Sequence, residues 1–157
     1  MAEDTWDPAG GEQVPTEQVC ERLRARAART PALEGVTLLG GEPFEQAGPL
    51  GELARTARAL GLSVIAFTGY TIEELQARED PSTNELLGHI DLLIDGPYQE
   101  ALRDFSRPWA GSSNQRFLFL SDRYGEEDLA REANHVEMRI GKDGTVVING
   151  MMDFLAV

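Results

Sequence analysis

Residues 35–44, GVTLLGGEPF, run apolar from Val36 to Leu39 and then stop at two glycines, a carboxylate and a proline. A short, near-continuous apolar run is the mark of a strand buried on both faces, since a strand with one wet face alternates. Three further runs of this kind follow, Leu62 to Phe67, Ile90 to Ile94 and Phe117 to Leu120. The segments between them carry helical patterns. Thr16 reads as the N-cap of a first helix with Val19, Cys20, Leu23 and Ala27 on one face, and Arg22, Arg24, Arg26 and Arg29 favour its negative C-terminal end. Leu50, Leu53, Ala54, Ala57 and Leu60 mark a second helix closed by Gly61. Thr71 to Glu74 reads as a capping box, Asp80-Pro81 opens a helix through Leu86 and Leu87, and Glu126 to Ala133 forms the last. Strands alternating with helices give an α/β class with a parallel sheet covered by helices.

The C-terminus breaks this rhythm. Val136 to Ile140 and Thr145 to Ile148 flank an Asp-Gly turn, which predicts a β-hairpin over residues 135–149, with Met151, Met152 and Phe154 as a tail packing on the core. Residues 1–15 have two prolines and Gly10-Gly11 but no periodicity and are expected to be an irregular entry loop. The 157 residues fit a single domain.

The formal net charge is −13, from 27 acidic and 14 basic side chains, which opposes binding to nucleic acid or to anionic membranes. No apolar run reaches the roughly 18 residues of a membrane span, and the acidic start MAEDTW is unlike a signal peptide, so the expectation is a cytoplasmic protein. Cys20 is the single cysteine, and on the apolar stripe of the first helix it reads as a small core residue. Neither His89 nor His135 has metal-ligand spacing or a nucleophile-and-carboxylate arrangement.

Ligands of parallel α/β sheets sit outside the C-terminal ends of the strands. Here those ends are Gly40-Gly41-Glu42-Pro43, Thr68-Gly69-Tyr70, Asp95-Gly96-Pro97 and Ser121-Asp122. Each alone is compatible with an ordinary turn, but small and polar groups at every strand end on one edge point to a site. Glu42 beside two bare backbone positions offers acceptors to an ammonium group, whereas a phosphate requires donors. No P-loop, Gly-x-Gly-x-x-Gly or Gly-x-Ser-x-Gly motif occurs at these ends. Trp109 to Arg116, WAGSSNQR, is dense in donors and reads equally as a polar turn or as a ligand-contacting loop.

Four ordered blocks, GVTLLGGEPFEQAGPL, VIAFTGYTIEEL, IDLLIDGPY and WAGSSNQR, resemble the radical S-adenosylmethionine family, in particular the small activating enzymes of glycyl-radical proteins such as anaerobic ribonucleotide reductase. The resemblance implies a partial, open (β/α) barrel and cleavage of S-adenosylmethionine by a [4Fe-4S] cluster, giving a 5′-deoxyadenosyl radical that takes a hydrogen from a glycyl-radical protein or peptide. It also implies an electron donor such as flavodoxin or ferredoxin. Carried onto this sequence, it places the methionine ammonium at Gly40, Gly41 and Glu42, with Pro43 fixing the turn. Thr68 and Gly69 then line the cofactor's sugar or methionine side, Asp95 faces the reacting centre, and Asn114 and Gln115 approach the cofactor or its neighbourhood.

The family's CxxxCxxC cluster loop has no counterpart here, and Asp4-Thr-Trp-Asp7 resembles what directly follows its third cysteine. The chain therefore reads as beginning downstream of that loop and of the first barrel strand, with no catalytic or metal-ligating residue of its own. Two functions stay open: an activating-type enzyme whose cluster segment is missing from this chain, or a non-catalytic relative that binds S-adenosylmethionine or a partner.

Overall fold

The computed structural model describes residues 12–104, 106–131, 136–140 and 145–150. Most of the expected entry loop, the hairpin turn, and Met151, Met152 and Phe154 lie outside the described residues, as does His135. The elements run α1 (Thr16–Arg29), β1 (Gly35–Leu38), α2 (Ala47–Ala59), β2 (Ser63–Phe67), α3 (Ile72–Ala77), α4 (Pro81–Leu87), β3 (Leu92–Asp95), β4 (Arg116–Phe119), α5 (Glu126–Arg131), β5 (Val136–Ile140) and β6 (Val146–Gly150). Short 3₁₀ turns at Pro43–Gln46 and Glu100–Leu102 complete the description. The alternation read from the sequence is therefore present, with boundaries displaced by a residue or two.

The main sheet is open, in the order β1-β2-β3-β4, and does not close into a barrel. β1 pairs parallel with β2 in the register Val36↔Val64 and Leu38↔Ala66, and β2 pairs parallel with β3 through Ala66↔Leu93. β4 departs from the parallel expectation, because it runs antiparallel to β3 with Asp95↔Arg116 and Leu92↔Phe119 as partners. The reason lies in residues 96–115, which hold a 3₁₀ turn and irregular chain instead of a crossover helix, so the chain turns back at the edge it has just left. The two C-terminal strands pair antiparallel, as a separate two-stranded sheet with Val136↔Gly150 and Ile140↔Val146 as partners.

One face of the sheet supplies the main core. Leu38, Val64, Ala66 and Leu93 pack with Ala54 and Ala57 of α2, Leu75 of α3 and Leu86 of α4. Leu75, Leu86 and Leu93 are fully buried, and each contributes on the order of 1.5–3 kcal/mol by leaving water. Cys20 is buried on α1, as its place on the apolar stripe implies, with the Thr56 hydroxyl 3.5 Å from its sulfur.

The helix ends follow local chemistry. Gly61, with φ 78°, terminates α2, where the N–H of Leu62 donates to the Ala57 carbonyl and that of Gly61 to the Arg58 carbonyl, both at 3.0 Å. Thr71 and Glu74 form the expected capping box of α3, and Asp80 caps α4 by accepting from Thr83 N at 2.8 Å. Thr16 does not cap α1; it is the first helical residue, and Pro15 before it provides no side-chain cap. Among the described residues, no helix is long and apolar enough to cross a membrane.

Candidate functional site

The site edge begins where β1 runs out. Gly40 and Gly41 take φ values of 86° and 54°, a hand that other residues adopt only with strain. A Cβ on either would meet nothing within 4 Å, so the glycines are required by the backbone turn and not by crowding. Both are exposed, and the reversal they make delivers Glu42 to the start of the 3₁₀ turn, with Pro43 as its first residue.

Glu42 then crosses to the neighbouring strand. Its Oε1 accepts from Phe44 N at 3.0 Å and from the Thr68 hydroxyl at 2.8 Å, while Oε2 accepts from Gly69 N at 2.9 Å. The Thr68 hydroxyl also accepts from Tyr70 N at 3.1 Å. A carboxylate has about four lone-pair positions, so three are filled and, among the described residues, the fourth, on Oε2, receives no hydrogen bond. Gly40, Gly41, Glu42, Thr68 and Gly69 are thus joined into one unit, with Glu42 as the buckle between two strand ends. Thr68 and Gly69 stand out in the sequence as a strand end; their bond to Glu42 does not, because 26 and 27 residues separate them from it.

Asp95, at the end of β3, is fully buried and committed. Its carboxylate accepts from Ile72 N at 2.8 Å, at the start of α3, and from Arg116 Nε at 2.9 Å and an Arg116 terminal nitrogen at 2.5 Å. Arg116 continues to Glu73 with contacts at 3.1 and 2.7 Å. Hydrogen bonds from Arg116 pull the Glu73 carboxyl down to about 2, and those to Asp95 and then Glu73 raise the guanidinium above its ordinary value. The clamp ties α3, β3 and β4 together, and Arg116, the last residue of WAGSSNQR, was not singled out from the sequence.

The two amides of that segment divide their work. Gln115 Oε1 accepts from Gly111 N at 2.8 Å and Ser112 N at 3.2 Å, and its Nε2 donates to the Gly96 carbonyl at 3.3 Å. Gln115 is therefore a staple inside the loop. Asn114 Nδ2 donates to the Pro97 carbonyl at 2.7 Å, while its Oδ1 is buried with no hydrogen-bond partner. Asn114 lines a cavity of about 630 Å³ together with Gly69, Tyr70, Gly96, Pro97 and Arg116. The Gly96 N–H donates to the Tyr70 carbonyl at 2.9 Å, linking the ends of β2 and β3. Tyr70 in turn lies under Arg78, 4.0 Å from its ring centroid, and its hydroxyl donates to Glu45 at 2.8 Å. Those hydroxyl and Arg78 contacts lower the Glu45 pKa.

At the opposite edge of the sheet, Asp91 is a buried carboxylate that sequence reading passed over. It accepts from Val64 N at 2.8 Å, from the Ser121 hydroxyl at 2.5 Å, and from Arg58. Burial pushes its pKa up, but the bonds from Ser121, Val64 and Arg58 outweigh that and hold it below the usual carboxylate range. Its place at the N-terminal ends of the strands makes it a structural node.

Among the described residues, no group of three or more His, Cys, Asp or Glu side chains is placed to hold a metal ion. With one cysteine in the chain, and that one buried in α1, these residues do not fit an iron-sulfur cluster.

A family model described as a 4Fe-4S single cluster domain matches residues 1–118. The chain is similar to anaerobic ribonucleoside-triphosphate reductase-activating proteins. That of Pasteurella multocida (strain Pm70) is 35% identical over 86 residues, 52% of this chain and 53% of the relative. That of Vibrio cholerae serotype O1 is 30% identical over 118 residues, 72% of this chain and 73% of the relative. That of Enterobacteria phage T4 is 28% identical over 129 residues, 79% and 76% of the two chains. The chain spans about half the length of the Pasteurella relative it matches. No solved structure matches.

Proposed function

This chain belongs to the radical S-adenosylmethionine family through its 4Fe-4S single cluster domain, and on that premise we propose that its strand-end edge holds S-adenosylmethionine by the methionine end. The observation that supports this best is the Gly40-Gly41-Glu42 turn, locked to Thr68 and Gly69. In this reading the exposed backbone of Gly40 and Gly41, with the open lone pair of Glu42 Oε2, faces the ammonium. Pro43 fixes the turn, Thr68 and Gly69 border the cofactor, and Asp95 and Gln115 hold the surrounding loops in place. The protein's share is positioning and exclusion of water, since the cofactor carries the bond chemistry.

The reaction class in this proposal is that of an activating enzyme acting on a glycyl-radical protein, a reading supported by the likeness to anaerobic ribonucleoside-triphosphate reductase-activating proteins. In that class S-adenosylmethionine, once reduced, supplies the radical that removes a hydrogen. No step is assigned to a cluster, because the residues here do not fit one. The glycyl-radical partner belongs to the proposal, and a flavodoxin- or ferredoxin-type donor belongs to it only where a cluster is supplied. The single buried cysteine favours a second reading, a non-catalytic relative that keeps the binding edge.

Calorimetric titration of the 157-residue chain with S-adenosylmethionine tests the binding edge. Saturable binding is expected, with a loss of about tenfold or more in Gly41→Val, whose side chain opposes the left-handed turn. Equal binding by the variant, or none by the parent chain, overturns the assignment. Reconstitution with iron and sulfide of a polypeptide that joins a CxxxCxxC segment to this chain separates the two readings: a retained cubane with cleavage of S-adenosylmethionine favours the enzyme, and binding of S-adenosylmethionine without cleavage favours the relative.

A further inference from the structure

Asn114 presents a contradiction within an otherwise satisfied loop. Its Nδ2 is bonded to the Pro97 carbonyl, which fixes the amide's orientation, yet Oδ1 is the one buried side-chain atom among the described residues with no hydrogen-bond partner. A buried acceptor without a donor is costly and calls for a ligand or water that supplies one. Its neighbours in the cavity do not supply it. The Gly69 N–H is held by Glu42, the Gly96 N–H by the Tyr70 carbonyl, and Arg116 by Asp95 and Glu73. Among the described residues no donor reaches Asn114 Oδ1, although the Gln99 carboxamide also lines the cavity, so the amide oxygen is an acceptor left for an occupant.

The walls narrow the class of occupant. Gly69 is exposed, and Gly96, buried at a φ of 97° that glycine adopts without strain, has no side chain, so main chain borders the cavity at the ends of two adjacent strands. Tyr70 is the cavity's aromatic residue, and its ring is already stacked under Arg78. A nucleobase would find no open aromatic platform other than the face away from Arg78, whereas a strand of main chain finds glycine walls and an acceptor for an N–H. The volume of about 630 Å³ holds a segment of a few small residues.

We infer that this cavity receives the main chain of the radical-accepting peptide, with Asn114 Oδ1 taking a hydrogen bond from one of its amide N–H groups. The inference rests on the function proposed above, because the peptide is the partner that function requires. Asn114 is then a positioning residue for substrate, distinct from Gln115, which holds the loop.

The test uses the full 157-residue chain, labelled with ¹⁵N, and three probes followed by NMR: acetyl-tetraglycine amide, its N-methylated counterpart acetyl-tetrasarcosine amide, and adenosine. The tetraglycine probe is expected to shift the Gly69 and Gly96 backbone signals and the Asn114 side-chain amide. Tetrasarcosine, which keeps the carbonyls but lacks the chain N–H groups, is expected to bind about fivefold to tenfold more weakly, the worth of one neutral hydrogen bond. Asn114→Leu should weaken tetraglycine by a similar factor and leave tetrasarcosine unchanged. Equal binding of both peptides, no shift with either, or stronger shifts at these residues from adenosine would overturn the peptide assignment. If S-adenosylmethionine shifts Gly40 and Gly41 while tetraglycine shifts nothing, the peptide site fails and the proposed function stands. If tetraglycine binds as expected but S-adenosylmethionine shifts nothing, the peptide site stands and the function fails.

Discussion

Replacing Glu42 measures how far one carboxylate holds the candidate edge together. In Glu42→Ala three donors, Phe44 N, the Thr68 hydroxyl and Gly69 N, lose their acceptor. Shielded hydrogen bonds to charged groups contribute about 1.5–3 kcal/mol each, but Glu42 is half-buried and Gly69 exposed, so about 1 kcal/mol apiece is the better figure. The expected loss is about 3 kcal/mol, or roughly 6–12 °C in Tm for a domain of this size. Glu42→Gln separates charge from shape. Its carbonyl oxygen can keep Phe44 N and Thr68, but its NH₂ group then faces the Gly69 N–H, donor against donor, and the cost falls to about 1–2 kcal/mol. Urea unfolding of both variants, with Thr68→Val and the double variant, completes a cycle in which Glu42 and Thr68 should couple by about 1 kcal/mol. Additive losses, or a glutamine variant as stable as the parent, would refute the buckle and return Glu42 to being a free surface acceptor.

Other consequences are open to measurement. Asp91→Asn should cost about 2–3 kcal/mol in urea unfolding, less than the full penalty of a broken buried pair because Arg58 keeps access to water. Since the folded pKa of Asp91 lies below its unfolded value, its contribution is present above about pH 4 and is lost as pH falls through the folded pKa; the asparagine variant should show a flatter acid limb of stability against pH. Asp80→Ala removes the acceptor for Ser82 N, Thr83 N and the Thr83 hydroxyl and should lower stability by about 1 kcal/mol, with faster amide exchange in the first turn of α4. Gly61→Ala forces a Cβ into a φ of 78° and should cost about 1–2 kcal/mol, whereas Gly88→Ala, at φ −65°, escapes that penalty.

What the sequence made legible follows the range of the interactions. The capping box at Thr71 and Glu74, the Asp80 cap and the Gly61 helix end are settled within a few residues, and each forms as read. The four apolar runs identify the strands because burial on both faces leaves no alternation to obscure them. The direction of β4 depended on what residues 96–115 would build, and a donor-rich stretch without helical periodicity did not disclose that it folds back on itself. The candidate edge was legible as a set of strand ends. The cross-strand partners of Glu42, the hold of Arg116 on Asp95, and the Asp91 node were not, since each joins groups more than 20 residues apart.

The antiparallel return of β4 also bears on how such a protein could change over generations. Asp95 and Arg116 are register partners and ion-paired, so residues 96–115 leave and re-enter the sheet at one fastened point. A loop pinned at its neck can be lengthened or exchanged without moving the strands, and doubling its length costs only about 0.6 kcal/mol in closure entropy. Selection could therefore rework the segment that carries Asn114 while the Gly40-Gly41-Glu42 edge stayed fixed, letting the same scaffold acquire new partners by loop exchange.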